Sequence, residues 1–309
     1  MPSVTSSFTK PSNSAFKQQR LRACQPILTP VPVILTFLII GLIFVPLGVV
    51  FYHTSQQIRE VSIRYDNNPA CVGKSFCSIS LPPSIHMKKP VYVYYRMENF
   101  YQNHRRYVKS RNDAQLRGSI VKSRSSLSDC APFLSNSTSN DPNQFYLPCG
   151  LIAHTMFNDS FSLRGSDGYV TLRKKGIAWP ADIKHKFKNP PADAPGIRTI
   201  ADFEDEDFMV WMRTAGLPSF SKLYRIIDED LNGNYTVDIR NNYPVKSFNG
   251  EKYVVISEIS WLGGKNAFLG IAYMSVGSVC LALSIVFLFK HKFAGRKLGE
   301  ISYLGWNRG

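Results

Sequence analysis

The chain has 309 residues, of which 44% are hydrophobic, and its 37 lysine and arginine residues against 22 acidic ones give a net charge of +15 at pH 7. Net charge bears on the partners of a protein and not on its fold. Composition alone therefore excludes neither a nucleic-acid partner nor a membrane, and the placement of the charges along the chain decides between them.

Two long uncharged runs stand out, at residues 31–52 and 267–289. At 1.5 Å per residue each helix would be about 33 to 35 Å long, which is enough to cross a hydrocarbon core of roughly 30 Å. The first run is longer than the apolar region of a signal peptide, and no small-residue cleavage pattern follows it. Both runs predict transmembrane helices, the first as a signal anchor.

The charges that flank these runs predict the orientation of the chain. Residues 1–30 carry four basic residues and no acid, and residues 290–309 carry five basic residues and one acid. By the positive-inside rule both ends lie in the cytosol, and the long middle segment faces the lumen or the outside of the cell. The predicted segments are a cytosolic arm (1–30), a first span (31–52), a lumenal or extracellular domain (53–266), a second span (267–289) and a cytosolic tail (290–309).

Cysteine usage agrees with a lumenal domain. Four of the six cysteines lie in the middle segment: Cys71, Cys77, Cys130 and Cys149. Four cysteines allow three disulfide connectivities, and pairing nearest neighbours, Cys71 with Cys77 and Cys130 with Cys149, requires the least chain closure. Zinc is the alternative, although no C-x-x-C pair or neighbouring histidine favours it.

Glycosylation signals fall in the same segment. Asn136, Asn158 and Asn234 each begin an N-x-[ST] sequon, and the two predicted cytosolic ends contain none. Such sites are modified only in the secretory pathway, so all three asparagines are candidate glycan acceptors.

The middle segment is long enough to fold by itself, and its strongest local patterns are those of β-strands. Residues 90–97, 236–240 and 252–262 are rich in β-branched and aromatic residues, with glycine, proline and asparagine clusters between them. This pattern predicts a mainly antiparallel, sandwich-like domain. Together with the two spans it predicts a membrane protein of α+β class, in which disulfides staple the folded domain.

One helix is predicted at residues 205–218, with apolar residues at helical spacing and Gly216 and Pro218 at its end. Five acidic residues precede or begin it: Asp202, Glu204, Asp205, Glu206 and Asp207. They could form a cation site, but acidic residues also favour the first turn of a helix, and helix initiation is the simpler explanation.

Residues 228–239 resemble the first half of a calcium-binding EF-hand loop, with Asp228, Asp230, Asn232 and Gly233 at the expected spacing. The twelfth position, which should supply a bidentate glutamate, is Ile239. A β-hairpin turned by Asn232 and Gly233 explains the same residues without a metal.

Motif searches give no sign of catalysis. The chain has no G-x-S-x-G, no H-E-x-x-H and no G-x-G-x-x-G at a strand-to-helix turn, and its histidines are scattered. The sequence predicts a protein that is not an enzyme and that needs no cofactor or metal.

The second span carries small residues at seven-residue intervals: Gly270, Gly277 and Ser284. Small side chains let two helices approach closely in lipid, so this seam predicts a helical partner. That partner is either another protein or the first span, where Gly41 and Gly48 repeat the same spacing.

Residues 99–111 (NFYQNHRRYVKSR) hold four lysine or arginine residues, three aromatic residues and no acid. This composition is typical of a nucleic-acid-binding patch. A lumenal position excludes nucleic acid, however, and leaves lipid headgroups, an acidic protein loop or a purely structural role.

Several longer stretches resemble one family. They include residues 94–111, 148–160, 174–191, 206–225 and 242–273, and they are similar to the cell cycle control protein 50, or transmembrane protein 30, family. Members of this family are accessory β subunits of type IV P-type ATPases, the phospholipid flippases. The resemblance extends from about residue 16 to residue 291.

The resemblance implies two spans with cytosolic ends and a disulfide-bonded, glycosylated domain that covers the exposed loops of the ATPase. It implies a heterodimer with the catalytic α subunit, contact with membrane lipids, and a requirement for the ATPase to fold, leave the endoplasmic reticulum and transport aminophospholipids. The implied locations are the endoplasmic reticulum, the Golgi and the plasma membrane. The alternative is a receptor or lipid-binding module that acts without an ATPase.

Overall fold

The computed structural model describes residues 12–23, 29–121, 123–135, 145–191 and 198–295. Within them the chain divides into two compact units, one containing residues 51–267 and the other the two long helices. The helices are α1 (Pro30–Gln56), α2 (Arg105–Lys109), α3 (Asp113–Leu116), α4 (Leu151–His154), α5 (Pro180–His185), α6 (Glu206–Met212) and α7 (Phe268–Ala294).

Twelve strands are present in the described residues. They are β1 (Glu60–Arg64), β2 (Phe76–Ser80), β3 (Ile85–Met87), β4 (Val91–Glu98), β5 (Tyr146–Leu147), β6 (Ser160–Gly165), β7 (Gly168–Tyr169), β8 (Arg198–Thr199), β9 (Phe220–Ile227), β10 (Leu231–Gly233), β11 (Thr236–Arg240) and β12 (Glu251–Glu258).

The long helices, α1 and α7, have 27 residues each and are long and apolar enough to cross a membrane. Each extends four or five residues beyond the uncharged run that predicted it. Their length follows from uninterrupted apolar sequence, because a helix satisfies every backbone hydrogen bond within the segment, as a lipid environment requires.

The folded domain contains two four-stranded antiparallel sheets, with strand orders β1-β12-β4-β9 and β2-β11-β6-β7. Strand β4 shows why they form: its residues alternate between buried and half-buried, so Val91, Val93, Tyr95 and Met97 all point into the core. The three strongest sequence patterns correspond to β4, β11 and β12. Together with the two apolar helices and two disulfides, the sheets confirm the predicted α+β architecture.

The two large sheets meet through aromatic side chains. Phe161 of β6 lies edge-on to Tyr65, with ring centroids 5.6 Å apart, and edge-on to Tyr224 of β9, at 5.1 Å. The Phe161 amide also donates a hydrogen bond to the Tyr224 hydroxyl, 3.2 Å away. Aromatic edge-to-face pairs add to the burial of apolar area, so this contact joins one sheet to the other.

Two local predictions are wrong. The helix predicted at residues 205–218 ends at Met212, because the Lys222 side chain from β9 binds its last carbonyls. Asn232 and Gly233 do not turn a hairpin, since β10 pairs with β3 and β11 pairs with β2 and β6. Gly233 has a φ of +124°, but Asn232 lacks the positive φ that a type I′ turn needs at both positions.

Candidate functional site

The segment 99–111, here called the basic segment, is anchored by its uncharged residues. Phe100 packs against the rings of Trp211 and Phe248, with centroids 5.9 and 5.4 Å away. The fully buried Gln102 accepts a hydrogen bond from the Ala215 amide at 2.9 Å. These contacts order the backbone of the segment from the inside of the domain.

The charged residues of the basic segment point the other way. Arg105, Arg106 and Lys109 are exposed, and no ion pair is formed by their side chains within the described parts of the chain. Tyr107, which lies between them, is buried and shares a hydrogen bond with Thr155 at 2.8 Å. The fold thus separates the exposed cations from the inward rings of Phe100 and Tyr107, while Tyr101 stays 58% exposed beside the cations.

A close backbone approach fixes the end of the basic segment. Gly150 has a φ of +105°, and a Cβ atom there would lie 2.0 Å from the Ser110 carbonyl oxygen, so only glycine fits. The Ser110 hydroxyl accepts a hydrogen bond from the Leu151 amide at 2.9 Å. The neighbouring Cys149 thereby connects the segment to a disulfide.

In the structure the disulfides join Cys71 to Cys77 and Cys130 to Cys149, with Cα atoms 5.0 and 5.6 Å apart. All four cysteines are buried. The second disulfide lies in a small apolar cluster of its own with Leu127, Leu134 and Phe145, separate from the main core. It stabilises the part of the domain against which the basic segment ends.

A buried ion pair lies between the sheets. The Lys252 ammonium of β12 is 2.6 Å from a carboxylate oxygen of Asp159, and Tyr65 donates a hydrogen bond to the same oxygen at 2.6 Å. Lys252 also donates to the Asn241 side chain and to the Tyr243 carbonyl, at 2.7 and 2.6 Å. All three ammonium protons have acceptors, which is the condition under which a buried charge is tolerated.

The electrostatics of this pair follow from burial. Burial lowers the pKa of Lys252, and the nearby Asp159 carboxylate opposes that shift. Burial also raises the pKa of the Tyr65 hydroxyl, and the charge of Asp159 raises it further. Tyr65 therefore stays a hydrogen-bond donor to the carboxylate at every physiological pH. Sequence reasoning missed this site, although Lys252 occupies an inward position of an alternating strand.

A second buried lysine, Lys222, binds the backbone carbonyls at the C-terminal end of helix α6. The Lys222 ammonium donates hydrogen bonds to the carbonyls of Val210, Trp211 and Arg213, the first two at 2.9 and 3.0 Å. Burial, together with the charge of Arg213, lowers the pKa of Lys222 to about 7. The side chain satisfies carbonyls that a helix end otherwise leaves without partners.

The five acidic residues before and in the first turn of α6 all have hydrogen-bond or ion-pair partners inside the domain. Asp205 caps the helix by accepting from the Asp207 amide at 3.0 Å, and Glu206 accepts from the amides of Gly176, Ile177 and Ala178. Asp207 pairs with Arg225 at 2.6 Å, and Asp202 and Glu204 bind Asn189. This supports helix initiation over a cation site.

The side chains of the loop that resembles an EF-hand also have separate partners. Asp228 pairs with Arg173 at 2.6 Å, Asp230 accepts from the Lys89 amide at 2.8 Å, and Asn232 bonds to His86 at 3.1 Å. The three side chains have three different partners and do not converge. Among the described residues there is no cluster of three metal-ligating side chains.

Two of the three candidate glycan acceptors, Asn158 and Asn234, are exposed in the structure. The Asn234 side-chain oxygen accepts a hydrogen bond from the Ser84 amide at 3.0 Å. A glycan attaches through the side-chain nitrogen, so this contact leaves the attachment atom available. Asn136 lies outside the described residues, and occupancy at all three stays a prediction.

The small-residue seam of α7 faces α1. Gly270, Gly277 and Ser284 are buried, and the Ser284 hydroxyl donates a hydrogen bond to the Ile34 carbonyl at 3.1 Å. A Cβ atom at Gly277 would lie 2.9 Å from the backbone nitrogen of Val45. Of the two partners that the sequence left open, the structure places the first span against the seam.

Comparisons with known proteins place the chain in a family. Residues 50–297 match the model described as the LEM3 (ligand-effect modulator 3) family / CDC50 family. The chain is 45% identical to "ALA-interacting subunit 3" of Arabidopsis thaliana, over 97% of this chain and 91% of that protein. It is 42% identical to "Cell cycle control protein 50A" of Bos taurus, over 94% and 92%.

A more distant relative has a more descriptive name. The chain is 33% identical to the "Phospholipid-transporting ATPase accessory subunit LEM3" of Saccharomyces cerevisiae, over 96% of this chain and 87% of that protein. The matches include the spans and the folded domain together, and they confirm the resemblance seen in the sequence. The chain belongs to the LEM3 / CDC50 family.

Proposed function

We propose that the chain is the non-catalytic accessory subunit of a phospholipid-transporting P-type ATPase. The observation that carries this proposal is the yeast relative, which matches almost the whole chain and is named as such an accessory subunit. ATP hydrolysis and lipid transport belong to the catalytic subunit, and this chain needs no cofactor of its own.

The chain would act by binding. A subunit that binds the ATPase in some conformations better than in others stabilises those conformations by mass action. In this way it supports the folding of the ATPase, its exit from the endoplasmic reticulum and its transport of aminophospholipids. Both ends of the chain lie in the cytosol, the domain lies in the lumen or outside the cell, and the complex occupies the endoplasmic reticulum, the Golgi and the plasma membrane.

The basic segment is the surface of the domain that best fits an acidic protein loop. Three exposed cations without internal partners (Arg105, Arg106 and Lys109) stand on a backbone ordered by buried contacts. A preordered surface loses little conformational entropy on binding, so its charges can select a partner of opposite charge. Nucleic acid is not proposed as a partner, because the domain is predicted to lie in the lumen or outside the cell, away from nucleic acid.

Co-purification tests the proposal. The tagged full-length chain is purified in mild detergent from cells that express a type IV P-type ATPase, and the eluate is assayed for lipid-stimulated ATP hydrolysis. We expect a large ATPase to co-elute at comparable stoichiometry. A chain that elutes alone from such cells would favour a lipid-binding module or receptor instead.

Charge reversal tests the surface. The triple variant Arg105→Glu/Arg106→Glu/Lys109→Glu should lose most of the co-purified ATPase while keeping its melting temperature, because these side chains make no internal ion pairs. The matched control is Lys184→Glu, an exposed cation on α5. Equal ATPase recovery with the triple variant and the control would assign the interface to another surface.

A further inference from the structure

A cavity of about 410 Å³ opens in the folded domain close to the end of α1. Its apolar wall is formed by Ile58, Val61, Pro82, Pro83, Ile85 and Met87. Arg59 and Lys265 supply cationic groups beside this wall. The basic segment contributes no residue to this cavity, and neither of the two buried lysines lines it.

Two parts of the cavity lining are only a few residues away from the long apolar helices along the chain. The uncharged run ends at residue 52, and α1 continues for four more residues, which adds about 6 Å along the helix. A headgroup layer extends roughly 5 to 7 Å beyond the hydrocarbon core on each side. Ile58 follows α1 by two residues, and Lys265 precedes α7 by three. The parts of the lining at Ile58 and Lys265 therefore lie within a few residues of the spans, within reach of a headgroup layer.

The charges around the cavity leave two cations for a ligand. Lys265 is exposed and forms no hydrogen bond or ion pair with any residue in the described part of the chain. The Arg59 guanidinium donates to the His86 carbonyl through one nitrogen and has further N–H groups to offer. The acid in the lining, Glu60, pairs with Arg96 at 3.3 Å.

Internal contacts hold in place the polar groups at the edge of the cavity, here called its rim. Glu258 accepts hydrogen bonds from the backbone amides of Arg59 and Lys88, at 3.3 and 2.6 Å, so its carboxylate is committed to the backbone on both sides of the rim. The His86 ring is bound to Asn232. An anionic group that enters would meet Arg59 and Lys265 on a preordered frame.

We propose that this cavity binds the phosphate-bearing headgroup of a phospholipid from the lumenal or outer leaflet. Arg59 and Lys265 contact the phosphate, since arginine and lysine form charge-assisted hydrogen bonds to phosphate oxygens. The apolar wall covers the glycerol region, which a free phosphate ion lacks. The inference goes beyond the proposed function and rests only on the spans and the cavity.

Native mass spectrometry of the full-length chain in mild detergent tests the site, with palmitoyl-oleoyl-phosphatidylserine as the probe. We expect one retained lipid on the wild type and about tenfold weaker retention for Lys265→Ala, the loss expected for one charge-assisted contact. The control is Lys246→Ala, an exposed lysine outside the cavity lining. Because Lys265 forms no hydrogen bond or ion pair in the described part of the chain, its variant should melt at the wild-type temperature.

Two results would overturn the proposal. Equal retention by Lys265→Ala and Lys246→Ala would show that the lipid binds elsewhere. Displacement of the lipid by an equal concentration of inorganic phosphate would assign the site to a free anion. No ATPase is present in the measurement, so failure here leaves the accessory-subunit proposal untouched, and loss of ATPase co-purification leaves the lipid site untouched.

Discussion

Among its described residues the folded domain buries two lysines, and it compensates their charges in different ways. Lys252 lies against a carboxylate, Asp159, with two further acceptors, whereas Lys222 has three backbone carbonyls and no acid. The first site joins the two sheets, and the second fastens α6 to β9. A buried ammonium can therefore either neutralise a buried acid or replace the missing partners of a helix end.

The largest effect should come from removing the acid. Asp159→Asn leaves Lys252 buried without a counter-charge, and breaking a buried ion pair from one side costs about 3–5 kcal/mol. We expect the melting temperature of the full-length chain in detergent to fall by on the order of 10 °C, measured by Trp fluorescence. The chain should also be retained in the endoplasmic reticulum.

The double variant Asp159→Asn/Lys252→Met is the control for this experiment. It removes the charge together with its partner, so part of the lost stability should return. A melting temperature for Asp159→Asn within about 2 °C of wild type would show that Lys252 does not depend on the carboxylate.

Removing the second ammonium should have a smaller effect. Lys222→Met leaves the carbonyls at the end of α6 without donors, which costs about 1–3 kcal/mol. A fall in melting temperature of about 4–8 °C is expected. Lys188→Met, at an exposed lysine, should leave the melting temperature unchanged; an equal fall in both variants would argue against the role of Lys222 at the helix end.

The contribution of Lys222 to stability should also depend on pH. The pKa of Lys222 is about 7 in the folded chain and near 10.5 when unfolded, so between these values the unfolded chain binds more protons. Stability contributed at this site should therefore rise as the pH increases from 7 to 10. The melting temperature of wild type minus that of Lys222→Met should become more positive by a few degrees. A flat difference would mean that the carbonyls keep the ammonium charged.

The smallest effect is expected at the other end of α6. Asp205→Ala removes the side chain that caps the helix, at a cost of about 1 kcal/mol. Asp205→Asn keeps an acceptor oxygen and should retain most of that stability. Identical melting temperatures for the two variants would show that the cap is not what stabilises the start of α6.

The sequence predicted those elements whose causes are local. The spans follow from uninterrupted apolar composition, and β4 and β11 follow from alternation within single strands. The end of α6 could not be predicted, because it depends on a lysine that strand pairing brings back to the helix. The hairpin prediction failed for a similar reason, since β10 pairs with the distant β3.

The candidate site shows the same contrast between features with local causes and features that depend on contacts between distant residues. The composition of the basic segment was visible, but the separation of its cations from Phe100 and Tyr107 needed the folded domain. The cavity that we propose as a lipid site is lined by residues near 59, 85 and 265, which are close only in the fold. The family resemblance covered long motifs and was confirmed by matches over almost the whole chain.

The dependence of an ATPase on this chain can be measured as enzyme activity. A type IV P-type ATPase from the same source is expressed with the wild-type chain, with the triple variant of the basic segment, or alone, and lipid-stimulated ATP hydrolysis is measured on the purified ATPase. An accessory subunit predicts activity with the wild-type chain and little or none when the ATPase is alone. Equal activity in all three preparations would show that the ATPase does not depend on this chain.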